Sequence, residues 1–377
     1  MAKLSSFSQF SQKFQYDIFN FNKNRILKSF FNTTSKNFNQ KQTYQILFFG
    51  SDNFSVESLK ALINESKNPD TFVKSIEVVV PPDKKTGRGY KEITQSQAKK
   101  FAQKHDLKIH EAPLKSLEDW KIPTPNQTTN FDIGVVVSFG YFLPPSILES
   151  FSKGAVNVHP SLLPKYRGAS PIQYAILNND KITGITIQEL HHEVFDAGKI
   201  FRQITLDIPS NSTYITLESL LATKGAELLI DTLRNFDYYK ENAKKQDASK
   251  ITKAPKIQKE MSEIKWSQIS AQQLEQLHRA ISHQYPLSTK FNNKIIQLHD
   301  ISLPSVSQQL LIQPGKPLEP GTIIIHYPKQ LSPMVYVTCA DGNVITFNSV
   351  KVEGKKEVSI LDWINGYQVK SEEMRFV

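Results

Sequence analysis

A doubly wound α/β domain built on a parallel sheet, followed by a small all-β domain, is the fold class that this 377-residue sequence predicts. Three observations predict it. Wholly apolar, strand-like runs alternate with stretches of helical spacing between residues 43 and 238, as expected of strands buried on both faces by helices. A polar, Lys-rich, aperiodic stretch then interrupts the chain over residues 239–262 and reads as a linker. Over residues 263–377 one helical stretch gives way to short alternating strands joined by "DG" and "EGKK" turns, which suits a small barrel or sandwich.

The elements follow in order. "YQILFFGS" closes on a glycine and precedes "FSVESLKALINES", where Val56, Leu59, Leu62 and Ile63 keep helical spacing, so strand, turn and helix are expected. The turn Gly50-Ser51-Asp52-Asn53 lacks a GxGxxG pattern, which leaves a dinucleotide cofactor without support. "SIEVVVPP", "ITQSQAKKFAQKHD" and "LKIHEAP" read as strand, helix and short strand. Ile133 to Val137 suits a central strand that Ser138-Phe139-Gly140 breaks. Ligands of such sheets bind beyond the carboxyl ends of the strands. The loop from Ser138 to Pro144 is therefore either a pocket wall or a plain turn with Phe139 and Leu143 in the core.

Composition sets the class. With 39% hydrophobic and 22% charged residues the chain reads as globular, and no apolar run nears the roughly 20 residues of a membrane-spanning helix. No membrane contact is expected. The single cysteine, Cys339, excludes an internal disulfide and a Cys-cluster zinc site and fits a reducing compartment. The net charge of +10 is uneven, because residues 1–41 hold seven Lys or Arg against Asp17 alone. In that leader Phe7, Phe10, Phe14, Ile18 and Phe21 form one helical stripe. An acid-poor, basic, amphipathic leader reads as a mitochondrial presequence; a disordered basic tail is the alternative.

"GAVNVHPSLLPKYRGASPIQYAILNND", residues 154–180, carries the chemistry. On a strand, Asn157 and His159 face the same side while Val156 and Val158 pack on the other. An amide beside an imidazole can hold a developing oxyanion and manage a proton; a buried, structurally satisfied His is the other reading. Downstream, "TGITIQELHHEVFDAGKIF" places Asp196 at a tight turn, 37 residues after His159. A hairpin-like return would bring that carboxylate to the imidazole. No Ser or Cys is positioned as a nucleophile, so direct transfer through a tetrahedral intermediate fits better than a hydrolase triad. His191 and His192 are adjacent and face apart on a strand, a poor chelating pair, so no metal site is expected.

"NVHPSLLPKYRGASPI" followed by "FDAGKI" resembles the formyltransferases that use 10-formyltetrahydrofolate, and the likeness extends over nearly all of residues 43–377. It is strongest to the branch that acts on methionyl-tRNA. The resemblance implies a Rossmann-like catalytic domain and an OB-like barrel at the C-terminus. It also implies that Asn157, His159 and Asp196 are catalytic and that Ser161, Leu162, Leu163 and Pro164 contact the folate. The loop Ser138, Phe139, Gly140 to Leu143 would hold the pterin through backbone groups. Two positions depart from the family's usual pattern: Ser51-Asp52-Asn53 stands in place of Gly-Thr-Pro, and Pro160 follows the His in place of Gly.

The acceptor is read from the basic segments. "PPDKKTGRGYKEI" sets Lys84, Lys85, Arg88 and Lys91 around Gly87 and Gly89. It resembles the insertion loop with which tRNA formyltransferases enter the acceptor arm, Arg88 at the key position. Seven lysines against three acids over residues 244–265 can track a phosphate backbone. The expected activity is formylation of initiator methionyl-tRNA in the mitochondrial matrix by a monomer. Transfer to a small amine, such as a ribonucleotide or sugar nucleotide, and a catalytically silent RNA-binding homologue are the alternatives.

Overall fold

The computed structural model describes residues 42–86, 89, 91–125, 130–191, 193–305, 318–329 and 332–377. The leader over residues 1–41, together with Gly87, Arg88 and His192, lies outside the described residues.

Strand β1 (Tyr44–Gly50) is buried at every position, because other strands pair along both of its edges and helices cover both faces. Its side chains alternate in destination: Ile46 and Phe48 enter one core, Leu47 and Phe49 the other, as the two-residue strand period requires. Helix α1 (Asn53–Ser66) follows, capped by Asp52, whose carboxylate accepts from the Ser55 N–H at 3.0 Å. Burying Leu59 and Leu62 completely stabilises this packing by about 1.5–3 kcal/mol per side chain.

Seven strands form the main sheet, in the order β5-β2-β1-β6-β7-β8-β9. They are β2 (Val73–Val80), β5 (Lys108–Glu111), β6 (Ile133–Val137), β7 (Gly154–His159), β8 (Ile182–Glu189) and β9 (Ile200–Asp207), besides β1. Pairing is parallel from β5 through β7. It turns antiparallel at β8 and β9, so the expected parallel sheet is in fact mixed. The physical reason is visible in β9, where half-buried and exposed positions alternate from Arg202 to Asp207; a half-solvated strand suits an antiparallel edge and not the interior of a parallel sheet.

Helix α2 (Gln97–Lys104) adds Ala98 and Ala102 to the core below α1. Helix α3 (Pro145–Leu148) supplies Ile147 to the opposite core. Helix α4 (Pro171–Leu177) follows β7, and the 21-residue α5 (Tyr214–Arg234) opens on a capping box at Thr213 and packs along α1. Helix α6 (Phe236–Glu241) follows α5. Strands β3 (Lys84–Thr86) and β4 (Glu92–Thr94) form an exposed antiparallel pair outside the sheet.

The Lys-rich stretch is an ordered strap. Ala254 and Ile257 are buried within it, and its backbone pairs with Ile200 through Lys244 and with Arg167 through Thr252 and Ala254. Helix α7 (Ala271–Ile281), opened by a capping box at Ser270, packs against α4. Beyond it lie β10 (Ser288–Phe291), β11 (Lys294–His299), β12 (Ile323–His326), β13 (Met334–Thr338), β14 (Val344–Thr346), β15 (Ser349–Val352) and β16 (Glu357–Ser359), then helix α8 (Ile360–Tyr367). These strands make antiparallel sheets β10-β11-β15-β16 and β12-β13-β14. Phe376 stacks between Trp266 and Trp363, with centroids at 5.7 and 5.8 Å, and these rings share one continuous core with Ile172 and Ile176 of α4.

Candidate active site

Strand β1 connects toward β2 on one side, and β6 and β7 continue the sheet on the other, so the order reverses between β1 and β6. In open α/β sheets the ligand crevice opens at such a point. Here a cavity of about 470 Å³ sits against Ser51 and Asp52 after β1, Ser138 to Leu143 after β6, and Asn157 to Pro160 at the end of β7. The loop after β6 serves both readings offered for it: Phe139 and Leu143 are 4% exposed and belong to the core, and they also line the cavity with Ser138 and Gly140. Ser138 and Gly140 hold left-handed backbone angles, φ 47° and 82°, which turn the chain around the cavity wall.

Asn157 and His159 point from β7 to one side, as the alternation requires, while Val156 and Val158 pack into the core. The antiparallel partner β8 places Gln188 opposite Asn157. The chain then returns through a turn in which Asp196 adopts φ 55°. Its carboxylate Oδ1 accepts from Asn157 Nδ2 at 3.3 Å and from Gln188 Nε2 at 2.9 Å. Oδ2 accepts from the Gly168 N–H at 2.9 Å. His159 Nδ1 stands 3.4 Å from Oδ1. The three groups that the strand pattern singled out therefore meet, on one wall of one cavity.

The imidazole's second nitrogen decides its tautomer. His159 Nε2 lies 3.0 Å from the Tyr166 carbonyl, and a carbonyl can only accept, so Nε2 carries the hydrogen. Nδ1, facing Asp196, is then left to take up a proton. His159 is 4% exposed, so water competes little for that nitrogen.

Asp52 adds a fourth polar group to the cavity. Burial lifts its carboxyl above the usual carboxylate range, against the lowering effect of the Ser55 N–H. Glu218 on α5 is raised likewise, first by burial and then by the Asp52 charge.

Other expected site residues lie elsewhere. Ser161 is buried, its hydroxyl donating to the Lys165 carbonyl at 2.6 Å. Leu162, Leu163 and Pro164 line a separate cavity of about 880 Å³ with Lys244, Lys245 and Lys250, and none of the four lines the cavity that holds Asn157. Lys84 and Lys85 are exposed on β3 and Lys91 just before β4. His191 lines the cavity, its Nδ1 accepting from the Glu193 N–H at 3.1 Å.

Two contributors carry no sequence signal. The Tyr166 carbonyl and the Gly168 N–H are backbone groups, invisible in residue identity. Gln188 could have been found, since Thr186 and Gln188 share a strand face that the Asn157–His159 pairing register makes inward.

An open α/β sheet with an amide, an imidazole and a carboxylate at its reversal point, and no nucleophile among them, defines an enzyme of acyl-type group transfer. The chain belongs to the formyl transferase family. A family model described as Formyl transferase matches residues 44–233, and one described as Formyl transferase, C-terminal domain matches residues 256–368. The chain is 34% identical over 332 residues to the mitochondrial methionyl-tRNA formyltransferase of Homo sapiens, covering 87% of this chain and 79% of that one. It is 34% identical to the methionyl-tRNA formyltransferase of Caldicellulosiruptor saccharolyticus, covering 86% and 97%. Among solved structures, the sugar 3N-formyl transferase WlaRD, solved with dTDP and 5-N-formyl-THF, shares the fold at TM-score 0.52 and 20% identity, covering 84% of this chain and all of that one. HypX from Aquifex aeolicus, solved with tetrahydrofolic acid, shares it at TM-score 0.53 and 15% identity over 88% of this chain, which spans about half of HypX.

Proposed function

We propose that this enzyme transfers the formyl group of 10-formyltetrahydrofolate to the amino group of methionine carried by initiator tRNA, in the mitochondrial matrix. The observation that carries the reading is the convergence of Asn157, His159 and Asp196 on one cavity wall, in a chain 32–34% identical to methionyl-tRNA formyltransferases over most of its length.

The cavity suits a folate. Phe139, Tyr141, Phe142 and Leu143 give it apolar and aromatic walls, and the turned backbone at Ser138 and Gly140 offers polar groups at its edge; a planar heterocycle with a polar rim fits such a lining. The donor supplies an electrophilic formyl carbon. Asn157 has a second amide hydrogen beyond the one spent on Asp196, available to a formyl oxygen as negative charge gathers there. His159 Nδ1 takes a proton from the attacking amine and Asp196 holds the imidazolium that results; the bond from the formyl carbon to the folate nitrogen then breaks, and that nitrogen takes the proton as tetrahydrofolate leaves. Gln188 and the Gly168 N–H keep the carboxylate aimed while this happens.

For the acceptor, Lys84, Lys85 and Lys91, with Arg88 between them, form the RNA-contacting loop. The segments are a presequence over residues 1–41, a catalytic domain over 43–238, a basic linker over 239–262 and an RNA-binding domain over 263–377. Support for the location comes from the relatives of rat, mouse, human and cattle, all named as mitochondrial. The test is to incubate purified protein with 10-formyltetrahydrofolate and methionyl initiator tRNA, then look for formylmethionine after deacylation. Transfer to free small amines with none to the tRNA would reverse the choice of acceptor.

A further inference from the structure

The turn that holds Asp196 needs a second clamp, because a non-glycine residue at φ 55° sits in a sparsely populated conformation. Its carboxylate is held by three donors, from Asn157, Gln188 and Gly168, but its main chain is held from outside residues 43–238. Gln246, on the strap, donates from Nε2 to the carbonyls of Asp196 and Gly198, each at 2.8 Å. Both amide hydrogens are thereby used. The amide oxygen of Gln246 accepts a fork from Arg167, Nε at 3.0 Å and Nη2 at 2.8 Å. The orientation of the amide admits no exchange of N and O: reversed, it would set oxygen against two carbonyls and NH₂ against a guanidinium.

Arg167 is itself stitched to the strap, its N–H donating to the Thr252 carbonyl at 2.9 Å and its carbonyl accepting from Ala254 at 2.8 Å. A closed circuit results. Strap residues 252 and 254 hold Arg167, Arg167 orients Gln246, and Gln246 holds the two carbonyls that bracket Ala197. The same strap steadies the imidazole, because Thr252 Oγ1 accepts from the Tyr166 N–H at 2.8 Å and the Tyr166 carbonyl accepts from His159.

We propose that Gln246 is a positioning residue for formyl transfer, a linker-borne amide whose donor end fixes the Asp196 turn so that its carboxylate stays aimed at Asn157 and His159. The inference rests on the reading of those three residues as the transfer site. Misplacing a reacting group by about 1 Å costs on the order of 10² in rate. Gln246→Ala frees the turn and should lower kcat by about 10- to 100-fold, with KM for 10-formyltetrahydrofolate within about twofold of the parent's.

Gln246→Glu separates positioning from mere docking of the strap. It keeps the acceptor for Arg167, so the strap stays docked, and sets a carboxylate oxygen against the two carbonyls. Steady-state kinetics and thermal unfolding of both full-length variants make the test. Loss of kcat in both, with the thermal midpoint of Gln246→Glu near the parent's, is the expected result. Parental kcat in Gln246→Glu, whether or not Gln246→Ala is impaired, overturns the proposal and leaves Gln246 a docking contact. The parent is assayed beside them with methionyl-tRNA and with small amines. A parent that formylates only a small amine removes the proposed acceptor, and the Gln246 comparison is then read with that amine.

Discussion

Asp196 Oδ1 and Oδ2 share donors from Asn157, Gln188 and Gly168, so the carboxylate is the hub of the groups proposed for the transfer. Removing it deprives the His159 imidazolium of its counter-charge and frees the Asn157 amide to turn away. Asp196→Ala or Asn157→Ala should each lower kcat by on the order of 10² or more, the scale of losing one oxyanion donor; single-turnover formylation measures it, and near-parental rates would remove that residue from the mechanism. Asp52 makes a different prediction. Its carboxyl is raised above the ordinary 3.8 by burial, so ionising it costs more in the folded chain than in the unfolded one. The stability it allows is complete while it is protonated and is lost as pH rises through the raised value. Asp52→Asn keeps the cap of α1, since Asn accepts from the same N–H, and removes the charge from beside Glu218. Its thermal midpoint at pH 7 should exceed the parent's, with the gap closing as pH falls toward the ordinary carboxylate range. A constant gap across that range would show that the charge is not the cause. Among single residues, Asn157, His159 and Asp196 were legible because strand alternation and a hairpin return are written in side chains. The Tyr166 carbonyl, the Gly168 N–H and Gln246 were not, the first two being backbone groups and the last sitting in a stretch without periodicity.

At the scale of elements, strands β1, β2, β5, β6, β7 and β8 and the helices α1, α2 and α7 stand where apolar runs and helical spacing put them. The antiparallel edge strand β9 was not legible, because strand direction depends on which edge remains open and not on composition. The ordering of the strap was not legible for a related reason. Its Lys-rich, aperiodic sequence describes a solvated surface, and most of its side chains are indeed exposed; what orders it is backbone pairing, at Ile200, Pro164 and Arg167. Gly168 is the point of closest approach. It adopts φ 123°, and a Cβ there would meet the Ala254 carbonyl oxygen at 2.7 Å. Gly168→Ala should therefore lift the strap and disturb the Asp196 contact together, destabilising the fold by about 1–3 kcal/mol through backbone strain alone. Urea unfolding would read the loss as a lower midpoint, and limited proteolysis should cut first within residues 244–254. A parental midpoint with a protected strap would mean that the approach is looser than these distances describe.

For the whole molecule, charge and architecture divide the work. The net charge of +10 is not spread over the catalytic crevice, whose walls are mainly apolar apart from Asp52 and the transfer residues. It gathers on the leader, on the exposed pair β3–β4 and along the strap. If those last two segments meet the phosphates of an RNA acceptor, each neutralised phosphate releases counterions, and the logarithm of KM for tRNA rises with the logarithm of salt by roughly 0.7–0.9 per contact. Replacing Lys84, Lys85 and Arg88 with alanine should lower that slope by up to about 2–3. KM for 10-formyltetrahydrofolate should not move, because Lys84 and Lys85 stand outside the crevice that holds Asn157. Measuring both constants for parent and variant from 50 to 200 mM salt tests the division. An unchanged slope would assign RNA contact to the strap or the C-terminal strands, whereas a raised folate KM would mean that the exposed pair folds over the crevice when the donor binds.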